Sequence, residues 1–583
     1  MLAEGFVSTL VTIWRLAIPY FRSEDRWPGR LLLVAVIAAE LGQVAITVLL
    51  NEWNNRFYNA LQDRNWDSFI YELLYFCVLA AIFIVVAVYQ LYLNQWLQIR
   101  WRRWMTVQYL GEWLEGSNHY RMQLLGDVAD NPDQRIADDL KLFVESTLAI
   151  GIGMLSSIVT LGSFVVILWN LSADAPLILF GGEWRVPGYL VWAAVFYAVF
   201  GTLFVHLIGR PLIALNFFQQ RYEADFRFNL VRVRENSEQI ALLAGETAED
   251  DRLLARFAHV VDNWRAIMTR TKLLTFFTTG YTQVSNVFPF LVVSPVYFAG
   301  HMALGGMMQT ASAFQSVQTA LSFIINSYRT IAEWRAVVDR LSGFEAAIAA
   351  GRAAATTPPR ITVTPQPAPD VVINGLEVRL PNGTPLVAVD EQHFPAGQNV
   401  LVNGPSGSGK STLFRAIAGI WPFGSGGIAV PQGERVMLLP QRPYLPVGSL
   451  LAAVSYPALP DRFGAPAVAA ALTAVGLDKL VPRLGEHAHW SRILSLGEQQ
   501  RLAIARAILL APDFLFLDEA TASLDEASEA QLYRLLMEKL PHTTLISIGH
   551  RATLAAFHRR NMILVPEDGH YRMQERSMAA ATG

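Results

Sequence analysis

Six apolar stretches constrain this chain more than any other feature, because each is long enough to cross a lipid bilayer. A membrane-spanning helix needs roughly 20 consecutive apolar residues. Inside a bilayer, such a helix satisfies all of its own backbone hydrogen bonds. The sequence therefore predicts a six-span helical domain, whose last span is the least hydrophobic. The stretches lie near residues 31–50, 70–94, 148–171, 188–209, 276–300 and 308–328.

The chain begins with a shorter amphipathic segment, residues 1–30. Apolar residues from Phe6 through Leu10 and Ile13 to Ala17 keep a helical spacing, and Arg15 lies on the other side. This pattern is typical of a helix that lies in the membrane interface. We therefore expect an interfacial elbow helix before the first span.

Composition divides the rest of the chain into three parts. Residues 31–349 hold the six predicted spans and long, helix-forming cytoplasmic extensions between them. Residues 350–370 are rich in Ala, Pro and Thr without apolar periodicity, which predicts an extended linker. Residues 371–583 then form a second domain.

Basic residues predict the orientation of the spans, because cytoplasmic connections carry an excess of Lys and Arg. The connections after the second and fourth spans show this excess, so both termini and the second domain are expected in the cytoplasm. The residues are Arg100, Arg102, Arg103, Arg121, Arg135 and Lys141 after the second span, and they include Arg210, Arg221, Arg227, Arg232 and Arg234 after the fourth.

The first functional motif of the second domain is a phosphate-binding loop. It follows an apolar strand-like run, 399–403, and precedes a helix-forming stretch, which is the context that such a loop requires. Its glycines let backbone N–H groups surround phosphate oxygens, and the helix N-terminus adds positive charge. The sequence thus predicts an ATP site in an α/β domain. The residues are Gly404, Pro405, Ser406, Gly407, Ser408, Gly409, Lys410, Ser411 and Thr412.

Further motifs follow in a fixed order. The octet Leu494-Ser495-Leu496-Gly497-Glu498-Gln499-Gln500-Arg501 resembles the signature sequence of ABC transporters. Taken alone, a histidine or an Asp-Glu pair after a strand is usually an ordinary surface residue or a helix cap. Order and spacing together favour the ABC ATPase. The other matching residues are Gln441, Asp518, Glu519, Asp525 and His550.

The resemblance implies a role for each matching residue. Glu519, His550 and Lys410 would be catalytic, and Mg²⁺ would be held by Ser411, Gln441 and Asp518. The ATP-binding set would be the loop residues 404–412 together with Gln441, Ser495, Gly497, Glu498 and Asp525. Two positions depart from the family pattern: Leu496 replaces a usual Gly, and Leu380 stands where an adenine-stacking aromatic is usual.

In the ABC arrangement, ATP lies between the phosphate-binding loop of one ATPase domain and the signature of another. This chain has one of each, so a working unit needs two chains. We expect a symmetric homodimer, and a heterodimer with a second half-transporter remains the alternative.

Two segments beside the membrane resemble a narrower group. Residues 51–62 and 130–136 look like those of the SbmA/BacA peptide and cobalamin permeases in their ATPase-fused form, and 234–241 adds a third match. That group is related to the peroxisomal fatty-acyl-CoA half-transporters. The resemblance implies the ABC exporter fold with inward transport of hydrophilic solutes, such as peptides or cobalamin, across a bacterial cytoplasmic membrane.

Polar residues inside the spans are candidates for a wet substrate cavity, because such groups in a membrane helix face protein or water. The alternative is that they bind helix to helix. The candidates are Glu40, Gln43, Thr282, Asn286, Ser312, Gln315, Thr319, Ser322 and Asn326.

Other functions fit the sequence less well. A lipid or acyl-CoA transporter predicts a more apolar and more basic cavity, and an ATP-gated channel or sensory ATPase would not need intact catalytic residues. The net charge of −3 without a basic arm argues against a nucleic-acid partner. The single cysteine, Cys77, excludes an intrachain disulfide.

Overall fold

The computed structural model divides the chain into two compact units. Unit 1 comprises Met1–Gln108 and Asp133–Ser342, and unit 2 comprises Tyr109–Pro132 and Gly343–Gly583. The structure describes residues 2–126, 131–174, 177–179, 182–184, 186–323, 327–433 and 435–576.

Unit 1 is built from long helices and one small hairpin of β1 and β2. Helices α3 and α11 begin in one unit and end in the other. In chain order, the elements up to the end of α11 are α1 Leu2–Arg22, α2 Arg26–Gln62, α3 Trp66–Leu114, α4 Asn118–Leu124, α5 Pro132–Gln134, α6 Leu140–Asp174, β1 Leu177–Leu179, β2 Gly182–Trp184, α7 Tyr189–Glu235, α8 Ser237–Leu242, α9 Glu246–Phe298, α10 Leu304–Leu321 and α11 Tyr328–Thr356. Of these, α4 belongs to unit 2. A 3-10 turn, Glu115–Ser117, precedes α4, and a π-helical turn, Arg135–Asp139, precedes α6.

Four helical segments of the described chain are long and apolar enough to cross a membrane: Arg26–Gln62, Trp66–Leu124, Pro132–Ala173 and Tyr189–Glu235. The predicted fifth and sixth spans fall in helices α9 and α10. Those helices are rich in Thr, Ser, Gln and Asn, which lowers their hydropathy. The number of six spans therefore stays a prediction.

The amphipathic segment at the start of the chain is helical, as α1. Leu16 and Tyr20 are 3% and 0% exposed, so one face of α1 is buried within unit 1. The Tyr20 hydroxyl donates a 3.2 Å hydrogen bond to Asp25, and Arg100 of α3 pairs with the same carboxylate. Side-chain contacts thus hold α1 against α3.

The segment 51–62 gains a specific structural role. Asn51, Asn55, Asn59 and Gln62 form one row of amides along α2, here called the amide row. Two of them cap α10 from outside: Asn59 Oδ1 accepts from Gly305 N at 2.9 Å and Gln62 Oε1 from Leu304 N at 2.7 Å. The residue before α10, Ala303, has no side chain that could do so.

The other half of the amide row binds one glutamine of α10. Asn51 donates to the Gln309 backbone oxygen at 2.9 Å, and Asn55 donates to the Gln309 side chain at 2.6 Å. The two helices approach so closely that a Cβ at Gly305 would lie 2.0 Å from the Asn55 carbonyl oxygen. The amide row thus fixes the start of α10 to α2.

The segment 130–136 leads into α6, and its first residue lies outside the described residues. The π-helical turn that follows contains a buried carboxylate, Asp139, which is 1% exposed. Arg135 binds this carboxylate at 2.5 Å, and Arg340 of α11 donates to it through Nε at 2.9 Å. The pair of arginines links α6 to α11 within unit 1.

Unit 2 contains a ten-stranded sheet with strand order β3-β7-β4-β5-β14-β13-β6-β12-β11-β8. A two-stranded sheet pairs β9 with β10. The strands are β3 Thr362–Gln366, β4 Val371–Arg379, β5 Pro385–Phe394, β6 Val400–Asn403, β7 Gly424–Pro431, β8 Val436–Leu439, β9 Gly448–Ser449, β10 His487–Ala488, β11 Phe514–Asp518, β12 Thr544–Ile548, β13 Arg560–Glu567 and β14 His570–Arg576.

Helices pack on both faces of this sheet, around two apolar clusters. Phe414 and Phe516 lie in one cluster and Trp490 in the other. The helices are α12 Lys410–Ile417, α13 Leu450–Ser455, α14 Gly464–Ala474, α15 Trp490–Ile493, α16 Leu496–Leu510 and α17 Glu526–Lys539, with 3-10 turns Pro460–Arg462, Asp478–Arg483 and Ala552–Phe557.

The segment 350–370 is more regular than its composition predicts. Helix α11 continues to Thr356, and β3 then occupies Thr362–Gln366 at one edge of the sheet. The expectation of an extended linker is corrected for these residues. Alanine is the strongest helix former, and β3 gains its hydrogen bonds by pairing in parallel with β7.

A segment from the connection after the second span belongs to unit 2. Tyr120 and Leu124 of α4 pack against the apolar cluster of the sheet. Asn118 donates to the Ile348 oxygen at 3.1 Å, and Arg121 donates through Nε to the Gly351 oxygen at 3.0 Å. Helix α4 is thus held both by the sheet and by the end of α11.

Candidate functional site

The site lies where four parallel strands of unit 2 end. β6, β12, β11 and β8 are adjacent and parallel, and the carboxyl ends of parallel strands form a common binding edge. A predicted motif follows each strand. The phosphate-binding loop follows β6, Gln441 follows β8, Glu519 follows β11 and His550 follows β12.

Glycines give the phosphate-binding loop its shape. Gly404, Gly407 and Gly409 have φ values of 151°, 78° and 87°, in the region that favours glycine. A Cβ at Gly409 would also lie 2.5 Å from a methyl carbon of Val387. The loop turns directly into α12, whose N-terminal N–H groups point toward the loop.

Lys410 is folded back onto the loop. Its Nζ donates to the backbone oxygens of Gly404 and Pro405, both at 2.8 Å. Burial lowers the pKa of Lys410, and the carboxylates of Glu519 and Asp518 oppose that shift. These contacts hold the ammonium group within the phosphate-binding loop.

Ser411 and Asp518 come together across the site. The Ser411 hydroxyl donates to Asp518 Oδ1 at 2.8 Å. Burial raises the pKa of Asp518, which is a cost that a cation at this place would offset. A hydroxyl and a carboxylate are the oxygen ligands that Mg²⁺ prefers, so these residues fit a Mg²⁺–nucleotide.

Glu519 lies at the centre of the other half of the site. It has a φ of 49°, which is unusual for a residue with a side chain and is typical of strained functional positions. Gln441 Nε2 donates to its Oε2 at 3.0 Å, and His550 Nε2 lies 3.3 Å from its Oε1. Three motifs that are distant in sequence therefore meet at one carboxylate.

The signature residues form the N-terminus of α16. Ser495 and Glu498 make a capping box, in which the Glu498 carboxylate accepts from Ser495 N at 2.9 Å. Lys479 binds Glu498 at 2.5 Å and is the main cause that lowers the pKa of Glu498. Leu496 is the first residue of α16, so its backbone conformation does not require the usual glycine.

Gly497 contacts the segment 522–525, and Asp525 is the last residue of that segment. A Cβ at Gly497 would lie 3.1 Å from Leu524, so the signature helix and this segment are in close contact. Asp525 caps α17 by accepting from Ser528 N at 2.9 Å. Leu380 is half-buried beside the apolar cluster of the sheet, which accounts for an aliphatic residue at this position.

Sequence reasoning assigned no role to several residues that connect these motifs. Glu529 is 3% exposed and binds Thr521 Oγ1 at 2.6 Å and Arg551 at 3.3 Å. Gln500 links the loop that contains Gln441 to the loop that contains Ser523. Gln500 lies inside the quoted signature octet and Arg551 directly follows His550, so proximity to a motif was the available signal.

The candidate cavity residues of unit 1 are only partly brought together. Glu40 of α2 accepts a 3.0 Å hydrogen bond from Gln90 of α3, and Gln43 is half-buried one turn away. Thr282 and Asn286 are exposed on α9. Asn326 lies outside the described residues.

The polar side chains of α10, and of Ser322 directly after it, lie in different environments. Gln318 is 7% exposed and accepts a hydrogen bond from Ser285, so this pair binds helix to helix. Thr319 is exposed and its hydroxyl bonds within its own helix, to the Gln315 oxygen at 2.9 Å. Gln315 itself, together with Ser312 and Ser322, is half-buried.

Two cavities of unit 1 lie elsewhere. The larger, of about 900 Å³, follows α9 from Trp264 to Gln283 and is lined by none of the candidate residues. The second, of about 290 Å³, lies between α7 and α9 and has a basic and aromatic lining. Its residues are Phe218, Arg221, Tyr222, Asp225, Arg256 and His259.

Comparison with known proteins identifies the family. Residues 16–298 match the family "ABC transporter transmembrane region 2", and residues 390–522 match "ABC transporter". The inner membrane ABC transporter ATP-binding protein YddA of Escherichia coli is 35% identical, with 91% of this chain and 93% of YddA covered. The chain belongs to the ABC transporter family. As a member, it hydrolyses ATP and couples hydrolysis to transport across a membrane.

Two further comparisons place this ABC transporter. The human lysosomal cobalamin transporter ABCD4 is 24% identical, with 79% of each chain covered. The structure of a bacterial Atm1-family ABC exporter with ATP bound matches with a TM-score of 0.70 at 18% identity, covering 93% of this chain and 94% of the exporter chain. The fold is therefore of the exporter type, with a helical transmembrane domain and a P-loop ATPase domain in one chain.

Proposed function

We propose that this ABC transporter imports hydrophilic solutes, such as peptides or cobalamin-like compounds, across a bacterial cytoplasmic membrane. The observation that carries the proposal is the exposure of uncharged polar side chains on α9 and α10. Thr282, Asn286 and Thr319 are exposed, and the hydroxyls of both threonines bond within their own helices. Because polar groups of membrane helices face protein or water unless their own helix satisfies them, the exposed carboxamide of Asn286 is the group that favours a wet pathway.

Two resemblances support the solute class and the direction. The relative ABCD4 carries cobalamin transport in its name. The segments 51–62, 130–136 and 234–241 resemble the SbmA/BacA permeases, for which transport is inward. The amide row lies within the first of these segments, so that part of the resemblance also has a structural role.

At the ATP site, the chain's own groups have distinct proposed roles. Lys410 would leave its backbone contacts to bind the β- and γ-phosphates, and the loop amides would hold them. Ser411, Asp518 and Gln441 would hold Mg²⁺, which neutralises charge on the phosphates when it is bound. Glu519 would orient and polarise the attacking water, with His550 placed beside it.

We further propose that two copies of the chain form the transporter. Ser495, Gly497 and Glu498 of one copy would complete the ATP site of the other. Helix α8 supports a partner surface, because Leu242 and Leu243 at its end are 78% and 82% exposed. Exposed apolar residues of this kind are typical of interaction sites.

A second candidate substrate is an amphiphile with an anionic head group, such as an acyl-CoA. The cavity of about 290 Å³ between α7 and α9 favours it, because Arg221, Arg256 and His259 line it together with two aromatic rings. The rings of Tyr222 and His259 are stacked at 5.7 Å. Such a lining suits phosphate or carboxylate groups.

Transport by the purified protein in liposomes tests these alternatives. Labelled cobalamin, a cationic peptide and a labelled acyl-CoA would be supplied, with ATP on the side of the ATPase domain, to the wild type and to Glu519→Gln. Movement of cobalamin or peptide toward the ATPase side, lost in Glu519→Gln, is the expected result.

Other results would redirect the assignment. Movement away from the ATPase side would overturn import. Movement of acyl-CoA alone, reduced by Arg256→Gln, would replace the hydrophilic solute by the anionic amphiphile. ATP-dependent conductance that persists without net hydrolysis would instead support a gated channel.

A further inference from the structure

One buried glutamine binds two loops of the ATP site at once. Gln500 of α16 is 1% exposed. Its Nε2 donates to the backbone oxygen of Gln441 at 3.0 Å, and its Oε1 accepts from the backbone N–H of Ser523 at 3.1 Å. Both ends of a single carboxamide are therefore used, one on each loop.

The first bond acts close to the reacting centre. The side chain of Gln441 donates to Glu519 at 3.0 Å, and Gln441 is exposed, with little packing to hold it. Gln500 binds the main chain of this same residue. One residue, Gln441, is therefore bound to Gln500 through its main chain and to Glu519 through its side chain.

The second bond acts on the segment that follows Glu519. Ser523 is exposed, and its N–H is bound by Gln500. The same segment is bound from the other end, since Arg551 donates to the Ala522 oxygen at 3.3 Å and also binds Glu529. The segment is thus held between the signature helix and the residue that follows His550.

We propose that Gln500 is a positioning residue for ATP hydrolysis. It holds the loop that contains Gln441 and the loop that contains Ser523 at a fixed separation, and so keeps the Gln441 side chain beside Glu519. This inference rests on the roles proposed above for Gln441 and Glu519. Gln500 binds the backbone of Gln441 and of Ser523, and its hydrogen bonds are made neither to the Gln441 carboxamide nor to Glu519. Its effect is transmitted through backbone atoms of the two loops.

The chemistry of an amide makes this role difficult to replace. A carboxamide offers a donor NH₂ group and an acceptor oxygen at a fixed separation, whereas a carboxylate offers acceptors alone. Removing it leaves a carbonyl oxygen and an N–H of two loops without the side chain that joins them. We therefore expect replacement of Gln500 to displace both loops together.

Three variants of the full-length protein test the proposal, with ATP hydrolysis measured in nanodiscs. Gln500→Leu keeps the size and removes both hydrogen bonds, and we expect kcat to fall about tenfold or more with a KM for ATP within about twofold of wild type. Gln531→Leu is the matched control, because Gln531 is exposed on α17. Its activity should be that of wild type.

Gln500→Glu should show a pH-dependent ATPase activity that a purely structural role of Gln500 would not produce. A protonated carboxyl group can donate to the Gln441 oxygen and accept from Ser523 N–H, as the amide does, whereas the carboxylate cannot. Burial raises the pKa of a carboxyl group. The activity of Gln500→Glu relative to wild type should therefore rise at least about threefold as the pH falls from about 8 to about 6.

The melting temperatures of all variants and the ATPase activity of Glu519→Gln are measured in parallel, and together they separate the possible outcomes. A loss of kcat in Gln500→Leu together with recovery of Gln500→Glu at low pH supports the inference. A wild-type kcat in Gln500→Leu, or a flat relative pH profile with lowered melting temperatures in both variants, overturns it while leaving the proposed role of Glu519 intact. Robust hydrolysis by Glu519→Gln overturns that role, and the inference with it.

Discussion

Ser411 and Asp518 are 107 residues apart in sequence, and the hydroxyl of the first donates a 2.8 Å hydrogen bond to the carboxylate of the second. This contact joins the end of the phosphate-binding loop, which follows β6, to the end of β11, two strands away in the sheet. The two oxygens lie beside the buried Lys410. The contact therefore marks where a metal-bound nucleotide would be held.

Replacing Asp518 by Asn should weaken the use of Mg²⁺. Loss of a carboxylate ligand lowers metal affinity, and we expect the Mg²⁺ concentration for half-maximal hydrolysis to rise about tenfold to hundredfold. Titration of ATPase activity with MgCl₂ at saturating ATP measures this. Asp478→Asn, at an exposed position, is the control, and an unchanged Mg²⁺ dependence in Asp518→Asn would argue against the assigned site.

Two glycines of α11 should respond differently to alanine. A Cβ at Gly351 would lie 2.3 Å from Asn118 Oδ1, whereas a Cβ at Gly343 would meet nothing within 4 Å. Gly351→Ala should displace α4 and lower the melting temperature, with a cost of about 1–3 kcal/mol from disturbed buried hydrogen bonds.

Gly343→Ala should be neutral or stabilising by up to about 1 kcal/mol, because alanine favours helix. Thermal unfolding of the full-length protein, followed by tryptophan fluorescence, compares the two. Equal melting temperatures of the two variants would contradict the close contact between α4 and α11.

The ATP site could be predicted because its motifs are local. The phosphate-binding loop and the pair 518–519 each follow an apolar, strand-like run, and the resemblance to ABC transporters implies that Ser411 and Asp518 hold one Mg²⁺. The structure brings these two side chains into contact. Gln500 and Gly351 show the opposite case. The partner of Gln500 lies about sixty residues away in the sequence, and the partner of Gly351 lies more than two hundred residues away. No local sequence pattern specifies such partners.

The membrane part shows the same division. Apolar length predicted the long helices, but the amides of 51–62 gave no sign that they would cap another helix some two hundred and forty residues later. Composition predicts an extended chain for the segment 350–370, because proline and threonine disfavour helix. Its helical end at Thr356 and its strand β3 depend on packing against α4 and β7 within unit 2.

The close approach of α2 and α10 predicts a second glycine effect. Gly305→Ala would place a methyl group 2.0 Å from the Asn55 oxygen, a backbone atom that cannot move alone, whereas Gly306→Ala would meet only the flexible end of Met302, at 2.9 Å. Gly305→Ala should therefore break the caps made by the amide row, at about 1 kcal/mol for each cap.

The expected result for Gly305→Ala is a lower melting temperature and reduced transport with ATP binding unchanged, since unit 2 is untouched. Binding of a fluorescent ATP analogue and liposome transport measure the two properties separately. Gly306→Ala should resemble wild type. If the two variants behaved alike, the amide row would not be a close contact between these helices.

The ATPase domain should lose stability in mild acid because of His558. Its ring is 4% exposed, and its two nitrogens contact the Leu554 oxygen at 2.7 Å and the Ser547 hydroxyl at 2.8 Å. Burial lowers the pKa of His558 below its ordinary value of about 6.5. Below that pH the unfolded chain takes up a proton that the folded chain excludes.

Stability from this source is therefore fully present above about pH 6.5 and is lost as the pH falls toward the lowered folded pKa, by up to about 1.4 kcal/mol for each pH unit. His558→Gln, which does not titrate, should show a smaller fall in melting temperature between about pH 7 and about pH 5.5. His542→Gln, at an exposed position, should keep the wild-type slope. Because Ser547 lies in β12, three residues before His550, the same protonation should also disturb the strand that carries His550, so ATPase activity in mild acid should fall less in His558→Gln than in the wild type.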